Sequence, residues 1–227
     1  MAGKRAVVFA NGEMPSYTWA AQLITGSDAV IAADGGLNHC LAMALSPILL
    51  IGDLDSVTPQ QTAAVQAAGC QVIRYPVEKN ETDLELALLW AAHENYQSIL
   101  IFAALGGRID QQLANLTLLL MPELTGLDVC VCSEREEIYL ITSNRTITGR
   151  AGDRVSLLPW GGPAVGVSTS GLRYPLEFET LSPQHSRGIS NEMLADSAVV
   201  SLESGSLLCV HSYTGVARKD VYDERID

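Results

Sequence analysis

Four short segments of the chain carry carboxylates, three of them beside or near glycines: Asp34-Gly35-Gly36, Gly52-Asp53-Leu54-Asp55, Glu81-Thr82-Asp83 and Gly106-Gly107-Arg108-Ile109-Asp110. Several carboxylates brought to one place repel one another and need a cation. Ligands made only of oxygen, without His or Cys, select a hard ion, and Mg²⁺ is the first candidate. Mg²⁺ keeps waters and takes one or two carboxylates together with substrate phosphates. Glycines next to the acids let phosphate oxygens approach the backbone. Arg108 can clamp a phosphate through two parallel hydrogen bonds. Lys79, one of three lysines, falls in the acidic stretch with Glu78 and Glu81. Each feature also has a plainer reading. Asp favours turns and helix N-caps, and a lone loop lysine is often a solvated surface residue.

The elements between these segments decide whether the acids meet. Apolar runs at residues 7–10, 29–33, 48–51, 71–75 and 98–103 predict strands. Helical patterns at 17–24, 37–44, 58–68, 82–93 and 110–120 separate or follow them. The helix after Thr58 is well signalled: Thr58 and Gln61 form a capping box, Pro59 fits the first turn and Gly69 ends it. Thr82 and Glu85 predict a second capping box. Strands alternating with helices imply a mostly parallel sheet with helices on its faces, a Rossmann-like α/β fold. Every strand-to-helix connection then lies at the carboxyl edge, where open α/β sheets bind ligands. Asp34 follows the second strand, Asp53 and Asp55 the third, Asp83 the fourth and Asp110 the fifth. All of them are expected at that one edge.

The second half reads differently. Short alternating runs at 137–142, 154–158, 165–168, 198–203 and 206–211 are punctuated by Gly and Pro, as in Pro159-Trp160-Gly161-Gly162-Pro163. This predicts an antiparallel β-sandwich or partial barrel, with Trp160 as a buried aromatic. The expected organisation is an α/β domain over residues 1–140 and a β-sandwich over 141–227. The polar tail at 214–227 is expected to be mobile or to lie along an edge.

Composition removes other classes. The 227 residues carry 14 Lys+Arg against 26 Asp+Glu, a formal net charge of −12, with no basic cluster. Nucleic-acid binding and an anionic membrane surface are both disfavoured. The most apolar helical run, 116–121, is far short of the roughly 20 residues a span needs, and the run 6–10 is too short for a signal peptide. Five scattered cysteines without C-x-x-C read as buried reduced thiols in a cytoplasmic protein. There is no G-x-x-x-x-G-K-[ST], no G-x-G-x-x-G after the first strand, where Asn11-Gly12 stands, and no G-x-S-x-G. From the residues alone the chain is a Mg²⁺-dependent enzyme acting on a phosphorylated, nucleotide-type substrate, with its acceptor open.

Ala33-Asp34-Gly35-Gly36-Leu37-Asn38, Gly52-Asp53-Leu54-Asp55-Ser56, Asn80-Glu81-Thr82-Asp83 and Leu105-Gly106-Gly107-Arg108-Ile109-Asp110-Gln111 occur in that order, followed by Gly171-Leu172-Arg173-Tyr174 and Gly188-Ile189-Ser190-Asn191-Glu192. Together these motifs resemble the thiamine pyrophosphokinase family over residues 7–210. The resemblance implies transfer of a pyrophosphoryl group from ATP to the hydroxyl of thiamine, leaving AMP, in a homodimer whose thiamine sites use both subunits. It implies Asp53, Asp55 and Asp83 as ligands of Mg²⁺. Asp55, Asp83, Arg108 and Asp110 would be catalytic. Asp34, Gly35, Asn38, Lys79, Thr82 and Gln111 would contact nucleotide, and Ser190 and Asn191 thiamine. A turn between strands is the plainer reading of Ser190 and Asn191. Asn80 departs from the acid common in the family, so the loop carries one negative charge fewer. Two other activities are compatible with the first half: a pyrophosphokinase for a pterin-type alcohol, and a nucleotide-binding module without catalysis.

Overall fold

The apolar runs of the first half become strands, and all but the edge strand at 71–74 are buried on both faces. The computed structural model describes residues 3–214. The chain divides into two compact units, one up to Ser133 and one from Glu134 onward.

The first unit contains β1 (Arg5–Phe9), α1 (Thr18–Ala21), β2 (Ala29–Ala33), α2 (Gly36–Ala42), β3 (Leu49–Gly52), α3 (Pro59–Ala67), β4 (Gln71–Arg74), α4 (Asp83–His93), β5 (Ser98–Phe102), α5 (Ile109–Thr117) and β6 (Asp128–Cys132). Its six strands are all parallel, in the order β6-β5-β1-β2-β3-β4. Val7, Val8 and Phe9 of β1, Ile31 of β2, Leu50 of β3 and Ile99 and Ile101 of β5 have no exposed surface. Such burial contributes about 1.5–3 kcal/mol per large apolar side chain. A strand covered on both faces has no polar side to alternate with, so it shows as a continuous apolar run.

From β1 the chain steps through β2, β3 and β4 on one side. It then crosses to β5 and β6 on the other. This reversal of strand order leaves a crevice at the carboxyl ends of β1 and its neighbours, where α/β sheets take ligands. Gly36 lets α2 begin hard against β1, since a Cβ there would lie 1.9 Å from the Phe9 carbonyl oxygen.

The capping box of α3 forms as expected: Gln61 N donates to Thr58 Oγ1 at 3.2 Å, and Thr58 N donates to Gln61 Oε1 at 2.8 Å. Thr82 caps α4 by accepting from Glu85 N. Two helices are shorter than their patterns. The run at 17–24 is helical only over Thr18–Ala21. Beyond it the chain turns at Thr25, whose N–H donates to Asp28, and Arg5 binds the same carboxylate. After α5, residues Leu118–Leu120 tighten into a 3₁₀ turn ahead of Pro122, which cannot continue an α-helix.

The second unit contains β7 (Glu136–Ile141), β8 (Arg145–Thr148), β9 (Arg154–Pro159), β10 (Ala164–Ser170), β11 (Glu179–Leu181), β12 (Asn191–Glu192), β13 (Ser197–Ser201) and β14 (Leu207–Ser212). They pair antiparallel in two sets, β12-β9-β14-β7 and β11-β10-β13-β8. Buried and open positions alternate along β9 and β13, the signature of strands with one face on a core. The fold is therefore α/β with a parallel sheet, followed by antiparallel β structure. β7 pairs with β14 from Glu136↔Ser212 to Ile141↔Leu207, which draws it into the second unit. The junction consequently falls a few residues ahead of residue 140. The short strands β8, β11 and β12 had no apolar run to announce them. Trp160, expected to be buried, is half-buried.

All five cysteines are buried and none is in a disulfide. Among the described residues no helix is long and apolar enough to cross a membrane. Of the polar tail expected at 214–227, Thr214 is tied through its N–H to Asp153 at 2.9 Å. Residues 215–227 lie outside the described residues.

Candidate active site

At the carboxyl edge of the parallel sheet the loops after β1, β2, β3 and β5 and the start of α4 enclose a cleft of about 660 Å³. Each loop is fixed by the strand beside it. Asp34 N donates to the Ile51 carbonyl at 2.9 Å, tying the end of β2 to β3. Gly12 N donates to Ala103 O at 2.7 Å and Glu13 N to Leu105 O at 3.0 Å, so the loop after β1 runs along the loop after β5. Three non-glycine residues at this edge hold left-handed backbone: Asp34 (φ 43°), Leu54 (φ 64°) and Ala103 (φ 54°). Residues held in that region store of order 1–3 kcal/mol each, and such strain gathers at functional sites.

Oxygens of Asp34, Asp53 and Asp83 lie within 4.8 Å of one another. Asp34 is buried, and Ser56 N donates to its Oδ1 at 3.4 Å. Asp83 opens α4, placed by the Thr82 cap. Gly52 makes room for the group, because a Cβ there would come within 2.9 Å of Asp83 Oδ1 and 3.0 Å of Asp34 Cβ. Lys79 Nζ sits 3.1 Å from Asp53 Oδ2 and 2.9 Å from Asp83 Oδ1. The second contact is an ion pair rather than an aligned hydrogen bond, and Asp83 Oδ1 is buried without any aligned donor.

The charges respond to this crowding in opposite senses. Burial pushes the Asp83 carboxyl up, and the Asp53 and Asp34 charges add to that against the pull of Lys79. Burial would also raise Asp53, but the N–H of Asp55 and the ammonium of Lys79 outweigh it and hold Asp53 below its ordinary value. Lys79 is opposed by burial and raised by its pairs with Asp83 and Asp53. An all-oxygen donor set with a buried oxygen lacking an aligned donor fits a hard divalent cation.

Asp34, Asp53, Asp55, Thr82, Asp83, Arg108 and Gln111 all line the cleft. Asp55 is exposed at its edge, where its N–H donates to Asp53 Oδ1 and its Oδ1 accepts from Ser56 Oγ. The position nearest Asp53 and Asp83 is taken by Asp34 instead. Arg108 is the N-cap residue of α5 and pairs through Nε and Nη2 with both oxygens of Asp110, which lowers the Asp110 carboxyl. Gly35 is buried as the N-cap residue of α2. Asn38 is exposed on that helix, where its Oδ1 accepts from Gln61 Nε2 at 2.8 Å.

Two family models match the chain in sequence order. The thiamin pyrophosphokinase catalytic domain covers residues 20–131, and the thiamin pyrophosphokinase vitamin B1 binding domain covers 139–207. The chain belongs to the thiamine pyrophosphokinase family. The thiamine pyrophosphokinase of Bacillus subtilis strain 168 is 27% identical over 184 residues, 80% of this chain and 86% of its own length. A rice homologue, thiamine pyrophosphokinase 1 of Oryza sativa subsp. japonica, is 24% identical over 227 residues, 88% of this chain and 84% of its own. The crystal structure of the B. subtilis thiamine pyrophosphokinase superposes with a TM-score of 0.83 at 25% identity, covering 93% of this chain and 100% of that one. Yeast thiamin pyrophosphokinase shares the fold at a TM-score of 0.79 and 17% identity, covering 99% of this chain and 89% of that one. The family match includes the acceptor half, which favours thiamine over a pterin-type alcohol.

The two thiamine candidates lie in the second unit. Ser190 is exposed, with φ 58°, and its N–H donates to Ser156 Oγ. Asn191 is buried, and its amide is engaged with backbone: Oδ1 accepts from Tyr174 N and Glu192 N, and Nδ2 donates to Tyr174 O. The Asn191 amide therefore braces β12 to the loop that carries Tyr174. Three polar residues of the cleft were not singled out from the sequence: Asn11, Glu13 and Asn115. Asn11-Gly12 does follow the first strand at the same edge, which was an available signal. Asn115 lies two turns into α5, its Nδ2 donating to Ala104 O at 2.8 Å, and nothing in its neighbours marks it.

Proposed function

We propose that this protein transfers the pyrophosphoryl group of ATP to the hydroxyl of thiamine, giving thiamine diphosphate and AMP. The observation that carries the reading is the trio Asp34, Asp53 and Asp83 within 4.8 Å, in one cleft with Arg108, in a chain of this family. In the reading, Asp53 and Asp83 hold Mg²⁺ with Asp34, and Asp55 adds a carboxylate at the cleft edge. Mg²⁺ held there would offset charge on neighbouring phosphate oxygens. Arg108 turns from Asp110 to the phosphate chain, and Asp110 keeps the guanidinium oriented until then. The first turn of α5 follows Gly106-Gly107, and the N-terminal end of its dipole favours an anion there. Thr82, Gln111, Gly35 and Asn38 contact the nucleotide. Lys79 offsets the charge of the bound phosphates. Ser190 presents its hydroxyl to thiamine, and Asn191 holds the loop that carries Ser190. Such a transfer depends mainly on positioning and on neutralising phosphate charge, which is what these side chains supply.

The same reading makes the protein a homodimer. Ile109 (68% exposed) and Leu113 (52%) lie one turn apart on α5 as an apolar patch, and Tyr174 (58%), Phe178 (65%) and Leu194 (59%) are exposed large apolar side chains of the β unit. Exposed apolar surface of this kind supports a partner surface. Light scattering should give twice the chain mass at micromolar concentration. Buried thiols without disulfides suit the reducing cytoplasm.

The deciding experiment identifies the spent nucleotide after a single turnover with thiamine and Mg-ATP. AMP with thiamine diphosphate is expected, and EDTA should stop the reaction. ADP with thiamine monophosphate would reject pyrophosphoryl transfer, and full activity in EDTA would reject the metal.

A further inference from the structure

Lys79 is the described residue whose placement the proposed chemistry leaves least explained. Its side chain is only 9% exposed, and its ammonium lies against two carboxylates of the acidic trio, 3.1 Å from Asp53 Oδ2 and 2.9 Å from Asp83 Oδ1. Those oxygens are the ones a divalent cation would take. A hard dication sits about 2.0–2.1 Å from carboxylate oxygens when it is Mg²⁺. An ammonium at hydrogen-bond distance from the same two atoms claims the same space and the same charge. Two cations cannot share it, since like charges a few ångströms apart repel strongly in a poorly solvated cleft. Lys79 stands between β4 and α4, in a stretch with no regular secondary structure, so its side chain can be displaced without breaking a helix or a strand.

We propose that Lys79 is a positioning residue that exchanges with the metal. Its ammonium holds Asp53 and Asp83 together, competes with a divalent cation for their oxygens, and is released toward the phosphate chain when the cation arrives with nucleotide. This rests on the metal and nucleotide reading of the cleft and deepens it. The consequence is a weak affinity for the bare cation and a strong one for the cation–nucleotide complex. A bare dication must expel Lys79 with nothing to receive it. A dication carrying phosphates brings the anion that Lys79 can pair with instead.

The test measures Mn²⁺ binding to nucleotide-free protein by the loss of its free-ion electron paramagnetic resonance signal, in wild type, Lys79→Met and Lys79→Arg. Lys79→Met should bind Mn²⁺ about tenfold tighter than wild type, because one competing positive charge is gone. Lys79→Arg keeps that charge and should stay within about threefold of wild type. In turnover, Lys79→Met should raise the KM for Mg-ATP by about tenfold, the loss of one phosphate-facing cation. A purely structural lysine would leave Mn²⁺ affinity unchanged or weaken it, and either result overturns the proposal. Should Lys79→Met not fold, wild type still decides. The sequence has three lysines, Lys4, Lys79 and Lys219. With lysines ¹³C-methylated, the Lys79 signal should shift on adding Mg-ATP, and a signal that stays fixed at saturation overturns the exchange. Failure of wild type to make thiamine diphosphate would reject the reaction while leaving the Mn²⁺ comparison standing. Absence of Mn²⁺ binding in every variant would overturn both the metal site and the exchange.

Discussion

Asp83 is under more opposing demands than any other residue of the cleft. It opens α4, faces Asp34 and Asp53, pairs with Lys79 and keeps an oxygen buried without an aligned donor. Its carboxyl is pushed up by burial, so the folded state resists its ionisation. A carboxyl raised in the folded state costs stability at pH values above its folded pKa and costs nothing once it is protonated. Asp83→Asn should therefore leave the melting temperature at pH 7 unchanged or higher. Turnover should fall by on the order of 10²–10³, the usual loss for one electrostatic contact in the transition state. Thermal melts beside steady-state rates make the comparison. A variant with lower stability and intact turnover would make Asp83 a structural residue.

At the scale of elements, the site is assembled from strand ends. β2, β3 and β5 each pass into a residue or short segment with left-handed backbone, at Asp34, Leu54 and Ala103. Gly52 ends β3 with φ 147°, and the space where its side chain would be is bounded by Asp83 Oδ1 and Asp34 Cβ. Gly52→Ala meets both obstacles together: a backbone unfavourable for a side chain, and the Asp83 carboxylate and Asp34 Cβ at 2.9–3.0 Å from the new Cβ. The expected cost is about 1–3 kcal/mol in urea denaturation. Because the new methyl spreads the acidic trio, the Mg²⁺ concentration needed for half-maximal rate should rise by about tenfold as well. Loss of stability with an unaltered Mg²⁺ requirement would separate Gly52 from the metal site.

At the scale of the whole molecule, stability depends on contacts far along the chain from the cleft. Arg5 at the start of β1 donates two hydrogen bonds to Asp28, at 2.8 and 2.7 Å, and Thr25 N donates a third at 2.7 Å. Burial alone would raise Asp28, but the Arg5 pair and the Thr25 N–H outweigh it and hold the carboxyl below its ordinary value. A carboxyl depressed in the folded state adds stability above its unfolded pKa, near 3.9 for Asp, and that stability is lost as pH falls through the lower folded value. Asp28→Asn should cost about 2–3 kcal/mol at pH 7. The gap from wild type should narrow as pH drops below the ordinary carboxylate range. Denaturation midpoints at pH 7 and in acid would check this, and a gap independent of pH would mean the pair contributes nothing through charge.

The sequence alone marked five of the six parallel strands, β1 to β5, as apolar runs, whereas β6 (Asp128–Cys132), also buried, was not read from it. It determined the start of α3 through Thr58, Pro59 and Gln61, and the edge at which the acids gather, because βα order fixes which strand end each loop occupies. It also carried the family through motifs that are local in the chain. Tertiary structure alone decided which carboxylates are neighbours. Asp53 and Asp55 are two residues apart, yet the third member of the trio is Asp34, brought in by the pairing of β2 with β3. Asp55 points instead to Ser56. Asn115 joined the cleft only because α5 packs there, and Asn191 proved to be a brace because Tyr174 lies across from it. The bridging of Asp53 and Asp83 by Lys79 spans 26 residues in one direction and four in the other. Spacing along a chain fixes what is local to one element. Distances between side chains on different strands follow from sheet order and register, which are set by packing of the whole core.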